Sequence, residues 1–114
     1  MRVLVLGLVL ALAAVSFSKS DEDFLREFKI SDKSVAYYEE AVKSESMNAE
    51  IKDIKKLFKK AVDEDSRNYL ALDKLGYIYR MENHLADAKR EYLKSIEINP
   101  HGYEAYDLLI ELYQ

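Results

Sequence analysis

A chain of 114 residues has room for one domain, and a formal net charge of −4 argues against a dedicated nucleic-acid binder, which needs a basic face for phosphate. Without cysteine there are neither disulfide staples nor thiol chemistry. The compartment stays open, since an exported protein need not contain disulfides.

Arg2 is followed by an unbroken apolar and small run from Val3 to Val15, then by Ser16, Phe17 and Ser18. A positive start, a short apolar core and small residues at a cleavage point are the order of a secretory signal peptide. A spanning helix needs about 20 apolar residues, more than stand here before Lys19, Ser20, Asp21, Glu22 and Asp23. Residues 1–18 are therefore expected to direct export and to be removed, after Ser16 or Ser18, leaving a periplasmic or secreted protein. Retention of the segment, anchoring the N-terminus in a membrane, is the alternative. Loss of Arg2 takes the charge from −4 to −5.

Residues 19–33 read as a linker or as one short amphipathic helix, with Phe24, Leu25, Phe28 and Ile30 covering the open end of the first helix pair. From Ser34 onward the chain is rich in Ala, Leu, Lys, Glu and Tyr and has few strand punctuators, so helix is the default. Apolar residues recur at steps of three and four: Tyr38, Ala41, Val42; Ile51, Ile54, Phe58, Ala61, Val62; Leu72, Leu75, Gly76, Tyr79; Leu85, Ala88, Tyr92, Ile96; Tyr106, Leu109, Ile110, Tyr113. Each set draws one stripe on a helix. Between the stripes stand capping residues: Ser31 to Ser34, Ser46 and Asn48, Ser66 and Asn68, Asn83, and Pro100 with Gly102. The spacing predicts five helices, over 34–46, 49–63, 69–81, 84–97 and 103–114, and connections this short force antiparallel neighbours.

Shifting the chain by 34 residues superposes Tyr38 on Leu72 and Tyr106, Ala41 on Leu75 and Leu109, Val42 on Gly76 and Ile110, Phe58 on Tyr92, and Val62 on Ile96. A helix pair repeated every 34 residues resembles the tetratricopeptide repeat. The middle copy carries the resemblance in Leu72, Leu75, Gly76, Tyr79, Ala88, Tyr92 and Pro100, with Ser95 where the family usually has Ala. In the first copy Val42, Ile54, Glu45 and Ser66 depart from the pattern. The resemblance implies an all-α fold over residues 34–114: antiparallel helix pairs stacked as a short right-handed solenoid of about two repeats plus a C-terminal helix. Gly76 and Ala88, both lacking bulk, are expected to form its tightest helix contact.

No catalytic constellation is visible, so an enzyme is not expected, nor a cofactor. His84 and His101 sit at helix starts with no paired ligand at metal spacing, and read as surface or capping residues. Lys52, Lys55, Lys56, Lys59 and Lys60 form a basic face, which reads as solvation of an amphipathic helix before it reads as a membrane contact. The resemblance implies a scaffold that holds a peptide segment or helix of another protein on its first helices. With Leu72, Leu75, Gly76 and Tyr79 committed to packing, Asp73, Tyr77 and Arg80 share the adjacent face. The 34-residue shift adds Glu39 and Lys43 from the first copy and Asp107 and Glu111 from the third. These seven are the candidate concave groove, suited to a basic or amphipathic segment with Tyr77 as anchor. The family's grip on a terminal carboxylate through Lys and Asn does not carry over, because Glu39, Asp73 and Asp107 occupy the corresponding places. On the last helix, Leu108 and Leu112 are expected to stay partly exposed and to support self-association or partner docking. A membrane-associated assembly factor, held by a retained N-terminal segment or the Lys face, is the rival reading.

Overall fold

The computed structural model describes residues 19–113, without the side chain of Tyr103. The predicted signal segment lies outside the described residues. Within them the chain is all-helical: α1 (Asp21–Glu27), α2 (Asp32–Ser46), α3 (Ile51–Glu64), α4 (Tyr69–Met81), α5 (Leu85–Ile98) and α6 (Tyr103–Tyr113).

Short polar side chains start three of these helices. Ser20 and Asp23 exchange bonds in a capping box at α1, Ser31 Oγ accepts from the Ser34 amide at α2, and Asn68 Oδ1 accepts from the Ala71 amide at α4. Each satisfies a first-turn amide that would otherwise be orphaned. Asn48 and Asn83, expected as N-caps, do another job. They and Lys29 take left-handed backbone angles, with φ of 56°, 62° and 56° respectively. The amide after each reaches back five residues: Ile30 to the Leu25 carbonyl, Ala49 to Ser44, and His84 to Tyr79. This is the Schellman closure of a helix end, and Asn tolerates it better than most residues. The second predicted helix accordingly begins at Ile51 and not at Ala49.

Two buried hydroxyls fix the pairing direction. Ser34 near the start of α2 donates to the carbonyl of Ala61 near the end of α3, at 2.6 Å. Ser95 near the end of α5 donates to the carbonyl of Tyr69 at the start of α4, at 3.3 Å. Both helix pairs are therefore antiparallel. Asn68 Nδ2 donates to Ser34 Oγ at 3.0 Å and the Ser31 amide to Asp65 Oδ2 at 3.0 Å, each joining residues 34 apart.

The core runs from Leu25, Ile30, Val35 and Tyr38 through Ile54 and Phe58 to Tyr69, Leu75 and Ile78. A second cluster of Ala88, Tyr92, Ala105 and Leu109 sits beneath α6. Helix α4 is buried on two faces: Ala71, Leu75 and Ile78 meet the first pair, while Gly76 and Tyr79 meet Tyr92 of α5. Ala88 is fully buried, but the residue pressed against Gly76 is Tyr92. A Cβ on Gly76 would lie 2.6 Å from Tyr92 Cδ1 and 2.8 Å from Cζ. The tightest contact expected between Gly76 and Ala88 is thus glycine against an aromatic ring.

Helix α6 presents a different face from the one its apolar pattern predicts. Ala105, Leu108, Leu109 and Leu112 pack inward, whereas Tyr106, Ile110 and Tyr113 are exposed. The 34-residue correspondence in the sequence matches the rotation. Ala105, Leu109 and Leu112 match Ala71, Leu75 and Ile78, the face of α4 that meets the preceding pair. Tyr106, Ile110 and Tyr113 match Leu72, Gly76 and Tyr79, the face that receives α5, and among the described residues no later helix lies on it.

Helix α1 does more than cap an end. Its Leu25 is fully buried, Tyr38 of α2 donates to Asp21 Oδ2 at 2.6 Å, and the ring of Phe28, just beyond it, packs at a tilt against that of Tyr69 of α4 with ring centres 4.8 Å apart. It lies against α2 and reaches α4.

Candidate functional site

The seven groove residues have different surroundings in the structure. Glu39 and Lys43 are exposed beside the N-terminus of α1, where they share a shallow cleft with Ser20, Asp21 and Glu22. The neighbouring Glu22 carboxyl raises that of Glu39 above its ordinary value, while Arg26 holds Glu22 below its own. Arg80 of α4 and Glu111 of α6 form an ion pair. Asp107 is exposed.

Tyr77 is half-exposed, at 46%. It lies in a cleft of about 280 Å3 between the α2–α3 turn and the end of α4, lined also by Ile51, Ile54, Ile78 and Met81. Ile51 and Met81 are exposed as well. The surroundings of Tyr77 are mainly apolar, not the acidic groove expected of it. Glu45 at the rim is already paired with Lys74 at 3.0 Å. Such a cleft suits the apolar side of an amphipathic segment.

Asp73 departs furthest from expectation. Placed on an open face by its offset from the packing residues, it is only 6% exposed. Its Oδ1 has no hydrogen-bond partner among the described residues. Burial pushes its carboxyl up to about 7, against a smaller lowering by the Ser95 hydroxyl and with a further rise from Glu104. Desolvation penalises the charged form, and among the described residues no cation offsets it. The sequence carried a signal for this: Tyr69, Leu72, Asp73 and Gly76 fall at i, i+3, i+4 and i+7, one stripe of α4, and all four are buried. Burial also pushes the Tyr69 hydroxyl up to about 12, and the Asp73 charge adds to that rise.

Asp73 lines a pocket of about 420 Å3 that sequence reasoning did not find. Asp21 and Phe24 of α1 form one wall, Tyr69 and Leu70 of α4 lie alongside Asp73, and the α5–α6 turn with Glu104 closes the other side. The pocket exists because of where α1 docks, which no periodicity reveals. His101 also lines this pocket, while His84 stands just before α5 and makes no side-chain capping bond there.

The basic face is a surface cleft of about 520 Å3 lined by Ile51, Lys52, Lys55, Lys56, Lys59 and Glu82. Lys55 pairs with Glu82 at 2.8 Å and sits 4.9 Å from the centre of the Tyr79 ring. Part of its charge is therefore engaged within the protein.

Comparison with family models, with curated proteins and with solved structures finds no match for this chain. Among the described residues, no helix is long and apolar enough to cross a membrane.

Proposed function

We propose that this chain is a short right-handed solenoid of the tetratricopeptide type, exported after removal of residues 1–18, that holds an amphipathic segment or helix of another protein. The observation that carries this reading is the apolar cleft around Tyr77. Ile51, Tyr77 and Met81 leave large side chains open to water at one place, where a soluble protein gains nothing from them unless something covers them. The 34-residue hydrogen-bond relation of Asn68 to Ser34 and the antiparallel pairs support the repeat architecture, which builds binding surfaces from stacked helices. The chemistry on offer is recognition, and no reacting group is required of it.

Photo-crosslinking in the native host tests the reading. A photoreactive residue at Tyr77 or Met81 is expected to trap one and the same protein, and the trap should be lost when Ile51→Glu disrupts the cleft. Crosslinks from Lys59 on the basic face to that protein, with none from Tyr77, would move the binding surface. Crosslinks from Lys59 to lipid would favour a membrane-associated factor instead.

A further inference from the structure

Three carboxylates border the pocket between α1, α4 and the α5–α6 turn: Asp21, Asp73 and Glu104. Among the described residues neither Lys nor Arg lines it. Acidic residues on a surface are ordinary, but Asp73 is more than nine-tenths buried and keeps an unpartnered oxygen. A buried carboxylate oxygen left without a donor is destabilising, so the arrangement is retained at a cost to the free protein. Aromatic and aliphatic surface lies beside it, from the rings of Phe24 and Tyr69 and the side chain of Leu70. Phe24 is itself substantially exposed.

An apolar wall next to an unmet carboxylate matches one chemical class, a cation on a hydrocarbon stem. A lysine or arginine side chain lays its methylenes on apolar surface and carries its charge to the end, and its head can also face an aromatic ring. We propose that this pocket receives a Lys or Arg side chain of the partner segment, with Asp73 as the buried counter-charge and Phe24 and Tyr69 as the walls for its stem. This rests on the protein-binding reading above and adds to it a specificity: the segment that covers the Tyr77 cleft carries a basic residue for the Asp73 pocket. Asp21 is partly engaged by the Tyr38 hydroxyl, which leaves Asp73 and Glu104 as the carboxylates for the incoming charge. Guanidinium suits the site better than ammonium, because its fork can meet Asp73 and a second acceptor together.

The full chain, labelled with 15N, is titrated at constant pH with the capped peptide acetyl-Gly-Leu-Arg-Leu-Gly-amide and with the same peptide carrying citrulline, which keeps the shape and removes the charge. The Arg peptide is expected to shift the amides of Leu70, Asp73 and Gly102 saturably, and the citrulline peptide to bind about tenfold more weakly. Asp73→Asn, which keeps volume and removes charge, should weaken the Arg peptide by a similar factor. Phe24→Ala, at an exposed position, should weaken it less than Asp73→Asn does. Equal binding of the two peptides, or full affinity in Asp73→Asn, overturns the pocket as a cation site. Either result leaves the protein-binding reading to its own test, since crosslinking at Tyr77 does not depend on Asp73.

Discussion

Asn68 and Ser34, 34 residues apart, are joined by a buried hydrogen bond of 3.0 Å. Asn68 also caps α4 through the Ala71 amide, and Ser34 passes the chain of bonds on to the Ala61 carbonyl. One polar thread therefore ties the start of α2, the end of α3 and the start of α4. Both side chains are fully buried, so each lost bond leaves a partner that water cannot reach.

Asn68→Ala should accordingly cost about 2 to 4 kcal/mol, combining a lost cap of about 1 kcal/mol with a buried hydroxyl oxygen that loses its donor. Ser34→Ala should cost less, because the Asn68 cap survives. Denaturant unfolding of both single variants and the double variant should show coupling between the two sites. Strict additivity would mean that the thread carries no shared energy.

The Gly76 contact offers a second measurement. Adding one methyl brings a carbon well inside van der Waals contact with the Tyr92 ring. Overpacking costs about 1 to 3 kcal/mol, against a gain of about 1 kcal/mol in helix propensity. Gly76→Ala is expected to lower the melting temperature even though alanine is the better helix former. The same substitution in a Tyr92→Leu background should be neutral or stabilising, because the ring is what the methyl meets.

The carboxyl of Asp73 makes stability depend on pH. Its folded value of about 7 stands above the ordinary 3.8, so the folded state binds its proton more tightly than the unfolded state. The contribution is fully present below about pH 4, declines as pH rises, and is lost above about pH 7. Asp73→Asn should therefore melt higher than the parent near pH 8, by about 4 to 8 °C for each kcal/mol recovered. The difference should vanish near pH 4. A parent and variant that differ equally at both pH values would assign the effect to packing and not to ionisation.

Helix positions were legible in the sequence because the apolar period, the Ser31 and Asn68 caps and the short connections all agree, and agreement across levels is what specifies a fold. The two features that decide the candidate sites were harder to read. Asn48 and Asn83 belong to a residue type that serves equally as N-cap or as left-handed helix closure, and only the backbone chooses. A single packing stripe on α4 leaves Asp73 on an open face, whereas α4 is buried on two faces and α1 brings Asp21 and Phe24 beside it. The rotation of α6 has the same origin: an apolar stripe does not tell which of two possible neighbours it faces.

That rotation decides which surface at the C-terminal end is free to associate. Leu109 is buried, and Leu108 and Leu112 pack beside it, while Ile110 and Tyr113 are 55% and 68% exposed. Leu108 and Leu112 are partly exposed, as expected, but the rest of their surface packs on the second core cluster, so association at this end should rest more on Tyr106, Ile110 and Tyr113. Leu109→Ala should destabilise the protein by about 2 to 4 kcal/mol, as a core truncation does. Ile110→Glu should leave the melting temperature nearly unchanged, since an exposed substitution away from caps and cores moves stability by about 0.5 kcal/mol or less. Sedimentation over a range of concentrations separates the surfaces: any concentration-dependent association of the parent should be abolished by Ile110→Glu. Association that persists in Ile110→Glu and disappears in Leu112→Glu would return the contact to the partly exposed Leu108 and Leu112.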